Sequence, residues 1–255
     1  MARYFSAAGY EVAVTDIDAE RASLVLAELQ ASGGHGFSAS LDTRCEQDWA
    51  AFHQRILQEW GGLDVLINNA GVAAAGRFEE SSIDDWQWVI DIDLMGVVRG
   101  CHRFLPLLRQ QAAQGRAGYI VNVSSFAGLA SLPGVSAYGT AKAGVIALSE
   151  QLLTELADTG IGISVVCPAF VRTGILDDLR SQDPMVRDRI GRWMDKSGVA
   201  ADDVARDVFQ AMRQKRFLVL THSSTRWAWR FKRWWPERYY RQVSRRAGLV
   251  RSRAA

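Results

Sequence analysis

Ser125, Tyr138 and Lys142 are the residues of this chain whose types and spacing could do chemistry. They stand in the passage VNVSSFAGLASLPGVSAYGTAKAG, where Tyr138 and Lys142 are four positions apart and so share one face of a helix. A lysine ammonium beside a phenol favours phenolate and lowers the tyrosine pKa from about 10 towards working pH. Such a tyrosine can take a proton from an alcohol or return it to a carbonyl oxygen. Ser125 ends the apolar run YIVNV and is placed to hydrogen-bond the same oxygen. Taken alone the tyrosine–lysine pair is a weak signal, because a surface pair beside a serine-rich turn has the same pattern.

The elements around these residues alternate. Strand-like runs are read at Tyr10–Thr15, Gly36–Leu41, Leu63–Ile67, Tyr119–Val123, Ile161–Val166 and Phe217–Leu220. Helical patterns lie between them, at Ala19–Ala31, Glu46–Trp60, Ser82–Gln111, Ala137–Ala157 and Ala201–Arg213. Met1–Ala8 also reads as a helix, with Gly9 as its C-cap. Alternation of this kind predicts an α/β fold, a doubly wound parallel sheet covered on both faces. No repeat or linker divides the chain, so residues 1–220 form one expected domain and residues 221–255 a basic, Trp-rich extension.

Two more motifs stand at strand ends: Asn68-Asn69-Ala70-Gly71, and Pro168 with Val171 and Thr173. In this order, with Ser125, Tyr138 and Lys142 between them, the set resembles the short-chain dehydrogenase/reductase family, from Met1 to about Leu220. The resemblance implies a single Rossmann-like domain that moves hydride between a nicotinamide cofactor and an alcohol or ketone. Tyr138 would be the general acid/base and Ser125 would orient the substrate oxygen. Lys142 would lower the tyrosine pKa and hydrogen-bond the nicotinamide ribose. Asn69, Ala70 and Gly71 would run beside the adenosine ribose, and Asp42 and Thr43 along the adenine. Pro168, Val171 and Thr173 would line the nicotinamide, with Val171 meeting its carboxamide.

Three departures from the family accompany the likeness. Asp93, in IDLMG, stands where the family usually has an asparagine that helps hold a proton-passing water. A carboxylate there either takes over part of that relay or pairs with Lys142. Ala169 stands where the family typically has glycine. The third is the start: MARYFSAAGYEVAVTD matches the remainder of a first helix and then a second strand. The family's first strand and its glycine-rich, pyrophosphate-binding turn have no counterpart. In this topology that strand is central, so the expectation is a sheet with two unpaired inner edges and weak cofactor binding or folding. The explanations weighed are an internal methionine taken as the start, a truncated sequence, and a decayed copy serving as a non-catalytic binding or regulatory protein.

Asp16, at the end of the first strand, bears on the cofactor. A carboxylate there accepts hydrogen bonds from both ribose hydroxyls of NAD and repels a 2′-phosphate. With the next basic residue at Arg21, the sequence predicts NAD over NADP. Asp18 is the better helix N-cap.

Composition bounds the rest. Hydrophobic residues are 48% and charged residues 23%, ordinary for a globular protein. Cys45, Cys101 and Cys167 lack metal-ligand spacing and point to a reducing, cytoplasmic compartment, with no metal expected. Residues 213–255 carry 13 Lys/Arg against the single acid Glu237, whereas the other residues hold 17 basic and 27 acidic side chains. In the extension Trp227, Phe231 and Trp234 recur at helical spacing among Arg226, Arg230 and Arg233, and Pro236 should interrupt the helix. Three readings apply: an aromatic face packed on the domain or a neighbouring subunit, an interfacial helix contacting a membrane through 226–246, or nucleic-acid binding, for which no recognised module is present. A homo-oligomer and no nucleic-acid partner are expected. Residues Gly174–Ser197 are read as the segment covering the substrate, with Met185, Ile190, Trp193 and Met194 as an apolar wall suited to an apolar alcohol or ketone.

Overall fold

Strand-forming runs separated by helices leave each strand two faces to bury, and packed helices cover them. The computed structural model describes residues 1–116 and 118–246. In chain order the elements are α1 (Ala2–Ala7), β1 (Val12–Asp16), α2 (Ala19–Ala31), β2 (Gly36–Ser40), α3 (Glu46–Trp60) and β3 (Val65–Asn68). Next come α4 (Ile83–Ile90), α5 (Gly96–Ala113), β4 (Tyr119–Val123), α6 (Phe126–Ala130), α7 (Ser136–Glu155) and β5 (Gly162–Val166). The chain continues through α8 (Val186–Asp195), α9 (Ala201–Arg213), β6 (Leu218–Val219), α10 (Ser223–Trp234) and α11 (Pro236–Arg246).

Period-2 alternation along β4 sorts the core into two layers. Ile120 packs with Val145 and Ile146 of α7, Leu108 of α5, and Ile163 and Val165 of β5. Tyr119 and Val121 point the other way, onto Val204, Val208 and Ala211 of α9 and Phe5 of α1. A third cluster joins Phe37 and Leu66 to Trp49 and Ile56 of α3 and Phe104 of α5. The fold is the predicted α/β, Rossmann-like parallel sheet in one domain.

The sheet is in two pieces. β1 pairs with β2 in parallel, from Val12 opposite Gly36 to Asp16 opposite Ser40. β3, β4, β5 and β6 form the other piece, also parallel and in that order. Among the described residues no ladder joins β1 to β3. A cavity of about 1410 Å³ is lined by Val12–Asp16 on one side and Val65–Asn68 on the other. The sheet therefore divides at the two inner edges expected from the sequence.

Local signals account for most boundaries. Asp18 caps α2 by accepting from the Glu20 and Arg21 amides. Gly61 closes α3 in the left-handed region at φ 65°. Pro236 separates α10 from α11. The predicted helix Ser82–Gln111 is corrected: α4 ends at Ile90, and a π-helical turn, Asp91–Met95, precedes α5. Widening the turn brings Asp93 into the interior, fully buried.

Candidate active site

β4 ends against the site, and its last residues anchor both α6 and α7. Ser125 is the N-cap of α6, its Oγ accepting from the Ala127 amide at 3.1 Å. That bond uses a lone pair and leaves the hydroxyl hydrogen to donate elsewhere. Ser124 Oγ donates to the Lys142 carbonyl at 2.7 Å, tying α7 to the strand end. α6 lies flat on α7: a Cβ at Gly128 would come within 2.6 Å of the Lys142 carbonyl carbon, so only glycine permits this approach. On its far side α6 is held by the C-terminal helices. Lys232 Nζ donates to the Leu129 carbonyl at 2.6 Å and to Ser131 Oγ at 3.0 Å, and Tyr239 Oη donates to the Ala130 carbonyl at 2.9 Å. A cation at carbonyls that end a helix is favourable.

Tyr138 and Lys142 occupy one face of α7, as the spacing predicted, with Lys142 Nζ 5.8 Å from the centre of the Tyr138 ring. Lys142 is buried, and its Nζ donates to the Val123 carbonyl at 3.2 Å. The same nitrogen lies 3.3 Å from Asp93 Oδ2. The other Asp93 oxygen accepts from the Val72 amide at 2.7 Å. Gly71 lets the backbone come this close, since a Cβ there would sit 3.2 Å from Lys142 Nζ. Of the two outcomes weighed for Asp93, the geometry is the ion pair.

This pair changes the electrostatics expected from the sequence. Burial pushes the Tyr138 phenol above its ordinary value, and Asp93 pushes the same way, against the lowering by Lys142 and, less, by the nearby Ser125 hydroxyl. The expected net lowering of the tyrosine is thus corrected. The lysine does act downward, but burial and a neighbouring carboxylate outweigh it. For Lys142 itself burial works downward, yet Asp93 and Tyr138 together hold its pKa above the usual lysine value. Burial raises Asp93, opposed by Lys142 and the Val72 amide.

The remaining site residues named from the sequence line one cavity. Asp16, Asp42, Thr43, Asn69, Ala70 and Gly71 stand on it with Ser125, Tyr138, Lys142, Pro168, Val171 and Thr173. Asn68 takes a structural part instead: it is buried and donates to Asn122 Oδ1 at 2.8 Å, and Asn122 donates to Ser149 Oγ. Asp42 is held by Arg44, whose guanidinium keeps that carboxyl below the usual range. Asp16 has a neighbour that the sequence reading missed. Arg21 Nε comes within 3.7 Å of Asp16 Oδ1, because the capped first turn of α2 folds back over the strand end. The sequence reading, which took Arg21 as the next basic residue but not as a neighbour of Asp16, is corrected.

The covering segment is partly as expected. Ile190 and Met194 line the cavity with Leu176 and Leu179, whereas Met185 and Trp193 are exposed, Trp193 packing on Phe170. The three cysteines are free. Burial pushes Cys101 up to about 11 and Cys167 up to about 12, so neither thiol is primed as a nucleophile. No group of residues suited to hold a metal is found among the described residues.

A dinucleotide fits this cavity at its two ends. Asp16, Asp42 and Thr43 line it with carboxylate and hydroxyl acceptors, and Lys142, Pro168, Val171 and Thr173 line it with Tyr138. Asp93 does not line the cavity; its Oδ2 is buried behind Lys142, without a well-aligned hydrogen bond. Between the ends the described residues contain no glycine-rich turn leading from a strand into a helix.

Comparison with known proteins shows the family. The short chain dehydrogenase family profile matches residues 1–184. A probable oxidoreductase EphD of Mycobacterium tuberculosis is 32% identical over 220 residues, 83% of this chain and 37% of its own length, so the chain spans little more than a third of that relative. The 3-oxoacyl-[acyl-carrier-protein] reductase FabG of Staphylococcus aureus is 33% identical over 175 residues, 68% of this chain and 70% of that protein. A short-chain dehydrogenase/reductase from Burkholderia phymatum, solved in complex with NAD, superposes with a TM-score of 0.84 at 32% identity, over 92% of this chain and 89% of its own. A LigD apo form from Sphingobium superposes at 0.74 with 26% identity, over 95% of this chain and 88% of that one. On the match of the family profile over residues 1–184 and these relatives, this chain belongs to the short-chain dehydrogenase/reductase family of nicotinamide-dependent oxidoreductases.

Proposed function

We propose that this protein interconverts an alcohol and a carbonyl compound with NAD, using Tyr138 as general acid/base. The observation that carries this reading is the anchoring of Ser125, Tyr138 and Lys142 by α6 and α7 on a single cavity wall. The nicotinamide, when bound, supplies the hydride acceptor or donor. In the oxidative direction Tyr138 Oη takes the proton of the substrate hydroxyl as the carbinol C–H bond breaks; in reduction it returns that proton to the carbonyl oxygen. Ser125 donates its free hydroxyl hydrogen to the same oxygen and holds it beside the phenol. Lys142, fixed by Val123 and Asp93, stabilises negative charge on the phenolic oxygen and is placed to meet the nicotinamide ribose. Asp93 orients that lysine and, through Val72, the segment Asn69–Gly71.

Asp16 selects the unphosphorylated ribose, although Arg21 beside it softens the discrimination. Titration with the two dinucleotides tests this: tighter binding of NADP than of NAD would sink the assignment. Leu176, Leu179, Ile190 and Met194 supply an apolar side to the substrate space and support an apolar alcohol or ketone. For the acid/base assignment the test is Tyr138→Phe. Turnover should fall by about 100- to 10,000-fold while NAD binding, followed by fluorescence, stays within a small factor. Near-normal turnover of that variant would remove Tyr138 from its role.

A further inference from the structure

We infer that α10 and α11 form a docking surface for an anionic phospholipid membrane. The aromatic face of α10 faces outward. Trp227 is 64% exposed and Trp234 73% exposed, with Arg230 exposed between them and Trp235, 53% exposed, just beyond. Positions 227, 230 and 234 lie one and two turns apart on one side of the helix. Phe231 contributes to the same patch, stacked on Trp227 at 5.1 Å. Of the packing, membrane and nucleic-acid readings, packing on the catalytic domain fails for Trp227 and Trp234.

These indoles are not the exposed side of a loose tail. The inner side of the pair is already engaged: Trp229 packs on the main core, Thr225 is buried, and Lys232 and Tyr239 bind the end of α6. An element with one face satisfied and the other carrying tryptophans among arginines has the form of an interfacial helix. The indole ring sits at headgroup depth, and arginine both snorkels and pairs with phosphate.

Charge selects the occupant. Residues 223–246 hold eight basic side chains and one acid, Glu237, whereas residues 1–212 hold 17 basic and 27 acidic side chains. A two-fold dimer through this surface would set the same cationic patch against itself. An anionic bilayer instead complements the patch and is repelled by the body behind it, which fixes which side approaches. No described helix is long and apolar enough to cross a membrane, so the contact is peripheral.

The test uses the full chain with vesicles of phosphatidylcholine alone or mixed with phosphatidylglycerol. Sedimentation should show the bound fraction rising roughly tenfold or more with the anionic lipid and collapsing at about 1 M salt, where the screening length is about 3 Å. Tryptophan emission should shift to the blue on binding. Trp227→Ala with Trp234→Ala should abolish binding with the melting temperature nearly unchanged. Arg230→Glu with Arg238→Glu, the second an exposed residue of α11, should do the same, which guards against a folding defect in the first pair. Equal binding to both vesicle types would overturn the proposal. So would a tryptophan variant that keeps its vesicle binding while a self-associated wild type becomes monomeric, which would make the patch an interface between copies. Loss of binding to a single-stranded oligonucleotide, with vesicle binding intact, would assign the patch to nucleic acid and equally overturn it.

Discussion

The two walls of the cavity differ in how they are held. β4 is buried along nearly its whole length and paired on both sides, by β3 and by β5. β1, across the cavity, is half-buried along most of its length and, among the described residues, paired only with β2. Ser125 grows out of the end of β4, and Lys142 is tied back to it by the Ser124 hydroxyl and the Val123 carbonyl. Asp16 ends β1 and depends on the single β1–β2 ladder and the first turn of α2. The placement of Ser125, Tyr138 and Lys142 is therefore set by packing, while the Asp16 wall rests on fewer restraints. Chemistry and cofactor affinity should respond to different substitutions.

The largest expected effect breaks the rigid wall at its tightest point. Gly128→Val forces a side chain into the Lys142 backbone, where even a Cβ would stand at 2.6 Å. α6 must then move off α7, carrying Ser125 away from Tyr138. Overpacking of this sort costs about 1–3 kcal/mol, and a displacement near 1 Å at the reacting groups costs about 100-fold in turnover. NAD titration should change far less than turnover. Comparable losses in both would mean that the walls are not separable.

A pair of matched truncations sharpens the contrast at a smaller scale. Val121 of β4 is fully buried and Val14 of β1 is only partly so. Val121→Ala should lower unfolding stability by about 2 kcal/mol, and Val14→Ala by less than half as much. Denaturant titration reads both. Equal losses would show that the β1 wall is as tightly integrated as β4.

Much of this arrangement was legible in residue spacing, and what was not has physical reasons. Tyr138 and Lys142 fell on one helix face because their spacing matches the helical period. The ends of α2, α3 and α9 coincide with the predicted ones because Asp18, Gly61 and strong amphipathic periodicity mark them. The π-helical turn was invisible, since a shift of hydrogen-bond partner leaves apolar periodicity almost unchanged. Arg21 was discounted for its separation in sequence from Asp16, although a capped first turn brings such residues back over the strand end. Trp227, Phe231 and Trp234 share a face as read, but periodicity alone could not say which side of α10 meets the core. That was decided by Trp229 and Lys232. Residues 247–255 of the extension lie outside the described residues.

The smallest expected effect is also the most specific to this chain. Asp93→Asn keeps an oxygen able to accept from the Val72 amide, so the segment Asn69–Gly71 should stay in place. What disappears is the carboxylate 3.3 Å from Lys142. Asp93 holds the Tyr138 pKa up, so its removal lets the phenolate form at lower pH. The rising limb of the oxidative pH–rate profile should then move to the acid side, with the maximal rate changed little. Stability should respond with a definite sign. Lys142 has a raised folded-state pKa, so its contribution is fully present below the ordinary lysine value of about 10.4 and is lost as pH climbs through the folded value. Without Asp93 the folded value falls, and alkaline unfolding should begin at lower pH than in the native protein. Pairing the profile with an alkaline melt distinguishes an electrostatic role from a merely steric one. If neither curve moves, Asp93 is only a spacer between α7 and the Gly71 segment.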